Sequence, residues 1–67
     1  LLFNLATLWN RDELDQLIAE VCGRPEEIEG DTVFERAENL IEWADRNNEM
    51  ITLMAVAISE RPDARWK

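Results

Sequence analysis

Residues 32–47 read TVFERAENLIEWADRN, the longest cleanly periodic run in the chain. With successive residues about 100° apart around a helix axis, Val33, Phe34, Ala37, Leu40, Ile41 and Ala44 fall on one stripe. Their recurrence at i, i+3, i+4 and i+7 is that of a helix facing a core. Glu35, Glu38, Glu42 and Asp45 gather on one flank of that stripe. Trp43 sits on the other, within a turn or two of Arg36 and Asn47. Either Asp31 or a Thr32…Glu35 box caps the start, and Glu42 and Arg46 form an i, i+4 pair in the favourable orientation.

On the N-terminal side, RPEEIEGD (24–31) is a connection or one short helical turn beginning at Pro25, with Ile28 as its apolar anchor. Glu26, Glu27, Glu29 and Asp31 place four carboxylates in six residues, but not at the alternating spacing of a calcium loop. A solvated acidic loop is expected. Before it, Arg11–Cys22 reads as a helix. Asn10 and Glu13 form its capping box, Leu14, Leu17, Ile18, Val21 and Cys22 form its apolar face, and Gly23 and Pro25 stop it. Cys22 is expected as a small buried hydrophobe. Leu1–Trp9 carries apolar residues at helical spacing and reads as a first helix, with Trp9 sealing the core.

On the C-terminal side, Asn47-Asn48 ends the long helix and can cap the next. Met50–Ile58 is apolar almost all round, which fits a central helix or one with a covered face and a face awaiting a partner, with a buried strand as the rival reading. Arg61-Pro62 stops it, and Trp66 is expected to fold back onto the bundle. The fold class is therefore all-α, in one domain spanning 1–67 and read as part of a longer polypeptide.

Composition narrows the function. A net charge of −8 offers no cationic patch to displace counterions from nucleic acid or to hold an anionic membrane. No apolar run reaches the roughly 20 residues of a membrane span, and no secretory leader is evident. The single Cys22 cannot form an internal disulfide. These features together give a cytoplasmic expectation. Histidine is absent, so no Ser–His or Cys–His arrangement can be built, and no zinc or phosphate-loop pattern occurs. No cofactor, metal, small-molecule substrate or catalysis is expected.

Recognition of a protein partner remains. Trp and Arg are enriched where binding energy concentrates, so Arg36 and Trp43 are candidate contact residues, although Trp43, at the edge of its stripe, fits sealing the core as well as anchoring an interface. The acidic positions Glu35, Glu38, Glu42 and Asp45, with Glu26, Glu27 and Glu29, join them. Two flanks of unlike chemistry suit head-to-tail association.

The order of RDELDQLIAEVCG (11–23), an acidic linker, NLIEWADRNNEM (39–50) and a last helix ending in ERP (60–62) resembles the effector-associated domains of bacteria. These are small death-fold-like adaptor modules fused to caspase-like or trypsin-like proteases, TIR domains and NTPases of conflict systems. The C-terminal DARW departs from the Asn- and Pro-containing ending of that family. The resemblance implies a compact death-like bundle of about five helices. It also implies homotypic binding to a partner carrying a similar domain, self-association included. An acidic inhibitor or antitoxin-like module that masks a basic surface is the alternative, and a helical subdomain of a larger enzyme is a third.

Overall fold

The structure, a computed structural model, describes residues 1–64; the expectation for Trp66 lies outside them. Four α-helices follow in order: α1 (Leu2–Leu8), α2 (Arg11–Val21), α3 (Val33–Arg46) and α4 (Met50–Glu60). The described residues contain no strand. Where about five helices were expected, the place between α2 and α3 holds a single 3-10 turn, Pro25–Glu27. Pro25 opens it, and Ile28 ends it by dropping into the core in extended conformation.

Local chemistry sets the helix ends. At α2, Asn10 Oδ1 accepts from the Glu13 backbone N–H at 2.8 Å, and Glu13 Oε1 accepts from the Asn10 N–H at 3.0 Å. This is a complete capping box. Gly23, at φ +84°, closes the same helix by donating to the Ala19 carbonyl. Thr32 alone caps α3, its Oγ1 accepting from the Glu35 N–H at 3.1 Å. Asn48 ends α3 in the left-handed region at φ 56°, which asparagine tolerates better than most residues. The following Glu49 N–H reaches back to the Ala44 carbonyl at 2.7 Å, as in a Schellman turn. Asn48 is thereby used up, and α4 starts from Glu49 with no side-chain cap.

The core is built from Leu5 and Trp9 of the first segment, Leu14, Leu17 and Ile18 of α2, and Ile28. Ala37, Leu40 and Ala44 of α3 and Leu53 and Ala57 of α4 complete it. α3 packs against α1, α2 and α4, as a central apolar stripe requires. That stripe is displaced from its expected position: Phe34 is 53% exposed, whereas Arg36 on the opposite edge is buried. The reason is the path of residues 28–31, which run along the Arg36–Asn39 flank. Arg36 Nη1 donates to the Ile28 carbonyl at 2.7 Å and Asn39 Nδ2 to the Glu29 carbonyl at 2.7 Å. Arg11 Nη1 donates to the Asp31 carbonyl at 2.7 Å. The linker's acidic residues Glu26, Glu27, Glu29 and Asp31 are exposed, as expected, while its backbone is strapped down.

The C-terminal end of α4 is tied to the α1–α2 corner. Arg61 lies over the Trp9 ring, 4.8 Å from its centroid, and Nη2 donates to Glu13 Oε2 at 2.8 Å. The Glu13 carboxyl is held below its ordinary range, first by the Asn10 backbone N–H and then by Arg61. Beside it, burial and the neighbouring Glu20 carboxylate raise the pKa of Glu60, against a smaller opposite pull from Trp9 and Arg61. A raised carboxyl binds its proton more tightly in the folded chain. Its contribution is therefore present at acid pH and is lost as pH rises through the raised value. Glu60→Gln is expected to raise the thermal midpoint at neutral pH and to leave it nearly unchanged below the ordinary carboxylate range. Melting curves at the two pH values check this.

Candidate protein-interaction cleft

Strapping residues 28–31 along α3 leaves an open cleft of about 210 Å³ between the linker and the C-terminal half of that helix. Glu27, Ile28 and Glu29 line one side. Asn39, Glu42, Trp43, Arg46 and Asn47 line the other. Helical spacing puts Asn39, Glu42, Trp43 and Arg46 on one face of α3, because residues three and four apart are neighbours. Asn39 fixes the near edge through its bond to the Glu29 carbonyl. At the far edge, Asn47 Nδ2 donates to the Trp43 carbonyl at 2.8 Å.

Four of the expected contact residues, Glu27, Glu29, Glu42 and Trp43, converge here from two segments. Glu35, Glu38 and Asp45 are exposed but do not line the cleft, and Glu26 is likewise exposed outside it. Arg36 is a correction. It was expected on an open flank beside Trp43, but only 8% of it is exposed. Its guanidinium holds the linker and meets Asp15 of α2 at 2.6 Å. A residue so enclosed braces the fold and does not face a partner. Cys22 also differs from expectation: it is half-buried, with Sγ 3.6 Å from the Arg24 carbonyl oxygen and from Glu27 Oε2.

Periodicity did not single out Asn39 and Asn47 as cleft residues. Both bond to backbone carbonyls, and nothing in their spacing marks such a bond in advance. The cleft's chemistry is cation-receptive. Three acidic residues line it together with Trp43, and among the described residues the one cation lining it, Arg46, is bonded to Glu42 at 3.2 Å with both side chains largely in water. A pair so exposed is held weakly, by less than about 1 kcal/mol, so an incoming charge can displace it. The volume lies below the roughly 300–1,000 Å³ of small-molecule pockets and suits the end of one side chain.

Among the described residues, no three Cys, Asp or Glu side chains converge as a metal-binding group, and no helix is long and apolar enough to cross a membrane. The chain matches no family model, no curated protein and no solved structure.

Proposed function

We propose that this chain is a non-catalytic protein–protein interaction domain. In this reading it is a death-fold-like adaptor that brings an effector of protease, TIR or NTPase type to its partner by homotypic association, in the cytoplasm of a bacterium during defence or conflict. The observation that carries the interaction role is the cleft. A half-buried tryptophan beside three carboxylates on a rigid helix and a strapped linker fits a lysine or arginine projecting from a partner domain. The adaptor role and the death-like arrangement rest on the resemblance of residues 11–23, 39–50 and 60–62.

Trp43→Ala and Glu29→Lys are expected to weaken association with a partner domain encoded nearby by at least about tenfold, as loss of a central anchor does. Glu29→Lys is exposed and should leave the melting temperature unchanged. Isothermal titration against candidate domains measures this, and undiminished affinity in both variants would refute the cleft as the contact. The net charge of −8 favours a second reading, an acidic module masking a basic surface. That reading requires binding to a basic protein that is not of the same domain type and that falls steeply with added salt.

A further inference from the structure

α4 buries Leu53 and Ala57 against the bundle, and its opposite face carries Ile51, Met54 and Ile58 in the open. Ile51 is 84% exposed, the most of any large apolar side chain described. Helical geometry arranges this outer face in two rows. Ile51, Met54 and Ile58 form a ridge of large side chains. Thr52, Ala55 and Ser59, all exposed, form a groove of small ones beside it.

We propose that this face pairs with the same face of a second copy of the chain. Two features of the molecule select that occupant. First, ridge and groove lie side by side on one helix. A two-fold axis running along α4 would set each copy's ridge in the other's groove, the self-complementarity a two-fold contact needs. Second, Met50–Ser59 holds no charged residue in a chain of net charge −8, and the acidic residues at its ends, Glu49 and Glu60, lie four and seven residues from buried Leu53 and so on the covered side of α4. Along this strip two copies can meet without pressing carboxylates together. The strip shares no residue with the cleft, so the pairing stands independently of the partner proposed there.

Sedimentation velocity of the 67-residue chain across micromolar to submillimolar concentration tests it. A dimer is expected that tightens as salt is added, because screening relieves the repulsion between two acidic copies. Salt would loosen the cleft contact instead. Ile51→Asp on the ridge and Ala55→Glu in the groove should each weaken the dimer at least about tenfold while helix content by circular dichroism is unchanged. Trp43→Ala should leave the dimer intact. A monomer at every concentration in high salt, or a dimer indifferent to both α4 substitutions, overturns the proposal. So does a monomer whose α4 amide signals shift on adding uncharged phosphatidylcholine vesicles, since that assigns the face to a lipid surface.

Discussion

Arg36→Ala is expected to destabilise the domain by about 3 kcal/mol or more, since removing a buried charged donor strands the acceptors it served. The Ile28 carbonyl, bonded at 2.7 Å in a buried setting, would lose the guanidinium that satisfies it. A weaker bond from Nη2 to the Pro25 carbonyl at 3.4 Å would go with it. The arginine stem, which fills the space between α3 and the linker, would leave a void. Asp15 adds to the loss: its side chain is 40% exposed, but the Oδ1 that meets the guanidinium at 2.6 Å is buried.

A domain of this length has only about 3–10 kcal/mol of stability in total, so the variant should lose roughly a third of it or more. Arg36→Met should be the milder change. It keeps the stem and removes a charge whose Nε has no acceptor among the described residues. Urea titration followed by tryptophan fluorescence ranks the two. Equal stability of Arg36→Ala and the parent chain would show that the brace carries no energy. Any partner-binding loss in an Arg36 variant must be judged against this loss of stability, which is why Trp43 and Glu29 are the informative positions.

Gly30→Ala is expected to be at least as damaging. Gly30 has φ +132°, a region that residues with a side chain rarely enter. A Cβ there would lie 2.7 Å from the Arg36 backbone nitrogen and 3.0 Å from the Glu35 carbonyl carbon. Those are backbone atoms in the first turn of α3, so a rotamer change cannot relieve the overlap. Relief requires lifting the linker off the helix, which breaks the bonds from Arg36 and Asn39 together.

Gly23→Ala is the natural control. Gly23 also has positive φ, at +84°, but no atom lies within 4 Å of the added carbon. It should lose only the left-handed penalty of roughly 1–2 kcal/mol. Chemical denaturation of the two variants side by side should separate them clearly. Similar midpoints would mean that the close approach at Gly30 is not maintained in solution.

The contrast between these glycines shows what could be read in advance. Gly23 follows a periodic apolar run and sits where a helix must turn, so its role was legible from neighbours within one turn. The same is true of the Asn10–Glu13 box, the Asn47-Asn48 stop and the Glu42–Arg46 pair, while for α3 the structure chose Thr32 over Asp31 as the cap. Each depends on residues at most four or five apart, and the backbone geometry of a helix fixes what they can do. Gly30 carries no such local mark, because the atoms that forbid a side chain there belong to residues 35 and 36 after the chain has turned back.

Half of the candidate site was legible for the same reason. Trp43 and Glu42 were placed beside the stripe by helical spacing, and Glu27 and Glu29 were recognised as exposed carboxylates. Their meeting across one cleft was not, because it requires the linker to lie along one particular flank of α3. Met50–Ile58 was likewise left between two readings, and packing on α2 and α3 covers one face and exposes Ile51, Met54 and Ile58.

Residue order alone settled the all-helical class, the capping box of α2 and the acidic, histidine-free composition, since those follow from contacts within a turn or two and from residue counts. The side of α3 that the linker covers depended on the three-dimensional packing. That choice turned Arg36 inward and Phe34 outward and opened the Trp43 cleft. It is set by hydrogen bonds from Arg11, Arg36 and Asn39 to linker carbonyls eight to twenty residues away, and helical periodicity carries no information about partners that distant.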